Sequence, residues 1–414
     1  MDGIALTPED RAILELETAS VAGHTCKVLL LGAPAPTLED LRESVGRRLE
    51  AEPALRRRLG GPPQSPVWVE DERFDVDAHV VDTGADPCDD EALRREVARL
   101  FAERLDRSRP LWRIDLVARA TGIALVWRIH HALADGTVAM RFADTVLWDA
   151  APVAPIAPRG PQRAHPDDAR RRMRLAAFVR HEVALGPERS PFDGTIGAAR
   201  EVAFARAPLR ELHDAAKQIA GATVNDAVLA AVAGGLREWI QHHHGKLGRA
   251  RVKVPVSLHH PGDDEGNRDS FFTLELPLGE PDPVARLEAV REATSVRKAD
   301  HDAETLDVLM RDLARVSPGL GRLCRRLEAS PRAFALNVSN VPGPRGAVAV
   351  VGAPVEAVYS IAEIGRRHAL RVAVVSAAGR LQFGFCSDPG IVDGLGMMAA
   401  AVEADASALV EAAR

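Results

Sequence analysis

The chain has 414 residues, of which 46% are hydrophobic and 27% charged, and a formal net charge of −6. That length exceeds one ordinary core and predicts two domains of about 200 residues, and the composition excludes a disordered chain or a membrane bundle. The negative balance argues against nucleic acid as a partner, and no apolar run approaches the ~20 residues of a membrane span.

Cys26, Cys88, Cys324 and Cys386 lie far apart with no CxxC pair. They read as reduced thiols, not as a disulfide framework or a zinc site. The first residues show no basic region followed by an apolar run, so the expected location is the cytoplasm. Peripheral contact with a membrane or lipid droplet stays open.

Thr7-Pro8-Glu9-Asp10 carries a helix start, with Thr as N-cap and Pro at the first position. Lys27–Leu31 predicts a short strand. Leu38, Leu41, Val45 and Leu49 recur at three-to-four-residue spacing, which predicts an amphipathic helix over 37–50. Val67–Val69 and the stretch Phe74–Val81 read as extended, and Ala92–Leu105 as a helix. Leu111–Val117 and Ile123–His131 alternate as strands and can pair across an Ala-Thr-Gly turn. In the second of these, Ile123, Leu125, Trp127, Ile129 and His131 share an apolar face, while Arg128 and His130 share a more polar one. Thr137–Trp148 predicts a helix.

From Ala151 the chain becomes Pro-rich and reads as a linker, so residues 1–150 form one expected domain, 151–200 the connection and 201–414 the second domain. The connection contains a basic amphipathic segment, Ala169–Arg180. It suits either an anionic membrane surface or a solvated helix crossing between domains, and the solvated reading is the better one. The second half predicts helices over Leu209–Ile219, Ala227–Ile240, Leu306–Leu327 and Ile391–Ala413. Strands are predicted over Arg251–Leu258, Phe271–Leu278 and Phe334–Val341, with a hairpin of Leu370–Val375 and Leu381–Cys386. This mixed order without strict βαβ alternation is that of an α+β protein.

The chemistry concentrates at His130-His131-Ala-Leu-Ala-Asp135-Gly136. Adjacent histidines on a strand face opposite ways, and no HExxH or His/Cys cluster sits nearby, so the pattern suits no metal. It suits acid–base work, in which a neutral imidazole takes a proton from an attacking hydroxyl and returns it to the leaving group. Asp135 can orient the loop or cap the next helix, and Gly136 can supply a turn or a close backbone approach. By residue pattern alone, the structural and catalytic readings stand level. His242-His243-His244 reads as a solvated helix end, Asn225-Asp226 as a helix cap, and Asn340–Pro344 as a turn.

The ordered set of motifs resembles the bacterial wax ester synthase/acyl-CoA:diacylglycerol acyltransferases. Leu6-Thr-Pro-Glu-Asp10 is similar to the family's opening, Phe74-Asp-Val-Asp-Ala-His79-Val to its FDxxxHV stretch, and Arg109-Pro-Leu-Trp112 to its PLW motif. His130–Gly136 looks like its HHxxxDG motif and Thr223–Asp226 like its ND motif. Pro255-Val-Ser-Leu, Gly266-Asn-Arg268 and Ser339–Pro344 also look like family segments.

The resemblance implies two chloramphenicol acetyltransferase-like domains, each a sheet flanked by helices, with an active-site tunnel between them. It also implies acyl transfer from acyl-CoA, a co-substrate and not a bound cofactor, to a fatty alcohol or diacylglycerol, without a metal or a covalent acyl-enzyme. By carry-over His131 is the base, His130 supports the loop, and Asp135 and Gly136 hold its geometry. Asn225, Asp226, Ser339, Asn340 and Trp112 would line the substrate path. The residues after Gly136, Thr-Val-Ala139-Met140-Arg, depart from the family's glycine-containing turn and bear on the acceptor side.

Overall fold

The computed structural model describes residues 3–150, 190–257, 269–299, 333–344 and 346–414. The N-terminal half runs β1 (Ile4–Ala5), α1 (Pro8–Leu16), β2 (His24–Leu31), α2 (Leu38–Arg48), β3 (Arg57–Gly60), β4 (Val67–Glu70), β5 (Val80–Asp82), α3 (Asp90–Ala102), β6 (Trp112–Arg119), β7 (Gly122–His130) and α4 (Gly136–Val146). The C-terminal half adds β8 (Glu201–Pro208), α5 (Leu209–Ala220), α6 (Val224–His244), β9 (Ala250–Ser257), β10 (Asp269–Leu276), α7 (Pro283–Ala299) and β11 (Leu336–Pro342). It closes with β12 (Ala349–Val350), β13 (Ala353–Ala362), β14 (Leu370–Ala377), β15 (Arg380–Ser387) and α8 (Leu395–Ala412). The basic segment 169–180, the helix expected over 306–327 and the segment 266–268 lie outside the described residues.

Local chemistry sets the element ends. Thr7 accepts the Asp10 N–H at 3.1 Å and starts α1. Thr37 and Thr223 form reciprocal capping boxes with Asp40 and Asp226, starting α2 and α6. Each such cap contributes about 1 kcal/mol. The β14–β15 hairpin turns through Ala378 and Gly379, both at positive φ (50° and 72°), which suits the right-handed twist of its strands.

Two six-stranded mixed sheets organise the chain, in the orders β12-β13-β2-β7-β6-β5 and β10-β9-β11-β14-β15-β8. The expected division at 150 and 201 does not foresee β13. This strand comes from the C-terminal half yet pairs antiparallel with β2, extending the sheet built from the first 130 residues. Nor are residues 190–200 a loose connection. Phe192 is fully buried against Trp239, and Arg200 forms a buried pair with Glu363, Nε to Oε1 at 3.0 Å.

In the C-terminal sheet, Val252, Leu336, Val338, Val372 and Val374 face the helices, including α6 and α8. The alternate residues Lys253, Asn337, Ser339, Arg371 and Ala373 therefore occupy the opposite face. That face meets the N-terminal half, because Val375 and Ala377 at the end of β14 join the core that holds Leu125, Trp127, Ile129 and α4.

Candidate active site

β7 delivers the two histidines. Both of its faces are buried, which corrects the expectation of a polar side. Leu125, Trp127 and Ile129 pack with α2 and α4, while Ala124 and Val126 pack with α3. Arg128 is neutralised inside the protein, donating from Nη2 to Asp115 Oδ2 at 2.8 Å and from Nη1 to the Leu100 carbonyl at 2.6 Å.

The ladder ends at His130, and the chain folds tightly there. The Leu133 and Ala134 N–H groups donate to the His130 carbonyl, at 2.9 and 3.2 Å, and the His131 N–H donates to the Gly23 carbonyl at 2.9 Å. The Ala132 N–H donates to His130 Nδ1 at 3.1 Å. Gly23, across the ladder, has φ +75°, and a Cβ there would sit 2.6 Å from His130 Nε2. Only glycine fits both the backbone and the ring above it.

Asp135 is wholly buried, and its Oδ1 accepts the N–H groups of Thr137 and Val138 at 2.8 and 2.7 Å. It is the N-cap of α4, and it acts electrostatically on His131. Gly136 has ordinary φ, so its role is close approach: a Cβ would meet Val341 Cγ2 of β11 at 3.2 Å. The C-terminal half thus presses directly on the His130–Gly136 turn.

His131 Nδ1 is enclosed, although the residue as a whole is half-buried. Burial lowers its ionisation to about 4, the Arg371 charge adds to this, and Asp135 partly opposes it. The imidazole is therefore neutral at physiological pH. A second buried charge, Lys27, shares the face of Trp127 on the adjacent strand β2. Its Nζ donates to Ser360 Oγ of β13 at 2.8 Å, and burial brings its ionisation down to about 8.

The structure brings His130, His131, Asp135 and Gly136 together with Val341. Ser339 shares the Val341 face of β11, whereas Asn340, in register with core residue Val374, takes the other face. Trp112, expected on the substrate path, is instead enclosed: its indole N–H donates to the Leu55 carbonyl at 2.7 Å, and its ring lies 4.5 Å from His79 and 6.3 Å from Phe74. The FDxxxHV and PLW residues thus build one packed cluster. Asp226 closes the α6 capping box and accepts from Thr294 of α7 at 2.7 Å, beside half-buried Asn225. These contacts belong to the helix layer of the C-terminal sheet. Ala139 and Met140 are buried in the N-terminal core. His243 stacks on Trp239 and donates from Nδ1 to its carbonyl, which makes the triple histidine a helix end.

Arg371, Lys27 with Ser360, and Glu17 were not singled out from the sequence. A lysine inside an apolar strand is the one signal that could have marked Lys27. Arg371 and Glu17 carry none.

Residues 6–186 match the family model of the wax ester synthase/diacylglycerol acyltransferase catalytic domain, and residues 265–409 match that of the WS/DGAT C-terminal domain. The chain is 28% identical over 416 residues to the probable diacylglycerol O-acyltransferase tgs1 of Mycobacterium tuberculosis, covering 92% of this chain and 90% of that one. It is 28% identical over 421 residues to tgs2 of the same organism, covering 92% of each. Among solved structures, the wax ester synthase/diacylglycerol acyltransferase from Marinobacter aquaeolei VT8 superposes with a TM-score of 0.74 at 21% identity, over 99% of both chains. The first condensation domain of the calcium-dependent antibiotic synthetase superposes at 0.63 with 18% identity, over 100% of this chain and 96% of that one. This chain, with its two six-stranded sheets and the HHxxxDG turn at their junction, belongs to the wax ester synthase/diacylglycerol acyltransferase family.

Proposed function

We propose that the chain transfers a long-chain fatty acyl group from acyl-CoA to the hydroxyl of a fatty alcohol or diacylglycerol, giving a wax ester or triacylglycerol, with His131 as general base. The observation that carries the mechanism is an enclosed imidazole on a folded turn, on which the Asp135 and Arg371 charges act. As the acceptor oxygen attacks the thioester carbonyl, His131 takes its proton, and the nearby Asp135 charge favours the imidazolium that forms. The carbonyl oxygen becomes an oxyanion, which positive charge at Arg371 favours. Collapse breaks the C–S bond, and the thiolate leaves with the proton held by His131. The products are an ester and free coenzyme A, and no acyl-enzyme is needed.

His130, Asp135 and Gly136 shape the turn in this scheme, and Ser339 stands on the facing strand. Incubation with acyl-CoA and an alcohol is expected to release thiol, and His131→Ala to abolish the release. Undiminished turnover in that variant would sink the mechanism. Among the described residues no single helix is long and apolar enough to cross a membrane. Cytoplasmic location, with peripheral contact where the apolar substrates reside, fits the proposed chemistry.

A further inference from the structure

Behind the catalytic turn, Glu17 closes a contact that the acyl-transfer scheme does not use. It is the C-cap of α1, and its side chain is only 6% exposed. Arg107 donates to its Oε2 from Nε at 3.0 Å and from Nη2 at 2.6 Å, and Arg104 stands 3.6 Å from Oε1. The same Oε2 lies 3.4 Å from His130 Nε2. Burial pushes the Glu17 carboxyl up, but the contacts with His130 and Arg107 outweigh it, so the group stays ionised at neutral pH.

We infer that Glu17 is a positioning residue of the acyl-transfer site, acting through His130. The reading of His131 as base is taken from the proposed function above. The chain of cause runs through one ring. Ala132 brings an N–H to His130 Nδ1, so Nδ1 is the bare acceptor and the proton sits on Nε2. Nε2–H then lies 3.4 Å from a carboxylate oxygen, a charge contact longer than a formed hydrogen bond, with no other partner for that nitrogen among the described residues. In the other tautomer, Nδ1–H would oppose the Ala132 N–H, and the Nε2 lone pair would oppose Glu17. Glu17 and the backbone thus select the same state. The selected ring pins Ala132, one residue beyond His131, while Gly23 pins the His131 N–H itself. Losing the carboxylate frees the ring to turn, and a base misplaced by about 1 Å can cost on the order of 100-fold in rate.

The experiment combines kinetics with nitrogen NMR of the histidine rings. Glu17→Ala is expected to lower kcat by about 10- to 100-fold, with KM for acyl-CoA changed far less. Glu17→Gln keeps an acceptor oxygen for Nε2–H and is expected to recover most of the activity. In the wild type, His130 should show the Nε2–H tautomer, and Glu17→Ala should mix the two forms. If Glu17 acts only through His130, adding Glu17→Ala to His130→Ala should cost nothing further. Additive losses, a Gln variant as poor as the Ala variant, or an unchanged His130 tautomer in Glu17→Ala would each overturn the inference. The tautomer readout is independent of His131, so an active His131→Ala enzyme would sink the mechanism while leaving the Glu17–His130 coupling measurable.

Discussion

The depressed ionisation of His131 makes the pH profile the most telling test of the site. At pH 5.5, a base that titrates at about 4 is still about 97% neutral, whereas one at the ordinary histidine value of about 6.5 would be about 9% neutral. The expected kcat/KM for acyl-CoA at pH 5.5 is therefore close to that at pH 7.5, with the acid limb falling only as pH approaches 4. Thiol release at sub-saturating acyl-CoA over pH 4.5–8 measures this. An acid limb centred near pH 6.5 would refute the picture of a ring desolvated by its neighbours and repelled by Arg371. The same shift acts on stability. The folded value lies below the unfolded one, so the unfolded chain takes up the proton first. Stability is complete above about pH 6.5 and declines as pH falls toward 4, by up to about 3 kcal/mol for His131. Buried His24, also held well below its ordinary value by burial, adds a loss of the same sign. Urea unfolding at pH 7 and pH 5 gives the difference directly.

Gly23→Ala places a Cβ at positive φ and against the His130 ring. The backbone alone costs about 1–2 kcal/mol, and turnover should fall by at least tenfold while acyl-CoA still binds; wild-type kcat would show that the ring does not need its place. Asp135→Ala removes the acceptor of two backbone N–H groups and should cost about 1–2 kcal/mol in thermal unfolding, with Asp135→Asn recovering more than half. Equal losses would mean that capping is not its part in stability. Lys27→Met removes a buried ammonium whose ionisation has dropped from 10.5 to about 8. That charge destabilises the fold at neutral pH and less so as pH rises through this window. The Met variant should therefore melt at or above the wild type at pH 7, with its advantage shrinking by pH 10. A Met variant that melts well below wild type at pH 7 would contradict that account.

The sequence made the His130–Gly136 turn legible because an alternating strand, two histidines and Asp-Gly are all local signals. The threonine cap at Thr7 and the β14–β15 hairpin were legible for the same reason. Trp112 was not, because an aromatic residue after Pro-Leu reads alike whether it lines a channel or fills a core. Only the Leu55 carbonyl on its indole N–H decides. Asp226 has the same ambiguity, since an acid at a helix start serves a cap and a site equally well. Lys27 and Ser360 lie 333 positions apart, and no periodicity within either strand points to the other. Arg371 reaches His131 through the packing of one half against the other, which single-strand patterns do not encode.

The strand β13 has a consequence for any attempt to divide the molecule. A cut within 151–189 would leave an N-terminal fragment whose β2 has lost its neighbour from Val355 to Ala362. Its N–H and C=O groups, flanked by Val28 and Leu29, would form a bare apolar sheet edge, the kind of edge that recruits other chains. Meanwhile β13 would remain tied to the other fragment, where the Val358 N–H is held by Gln382 of β15. Separately made fragments should therefore be poor folders alone and should reassemble by strand complementation when mixed. The two halves share one sheet, and the HHxxxDG turn takes its place only when both are knitted together.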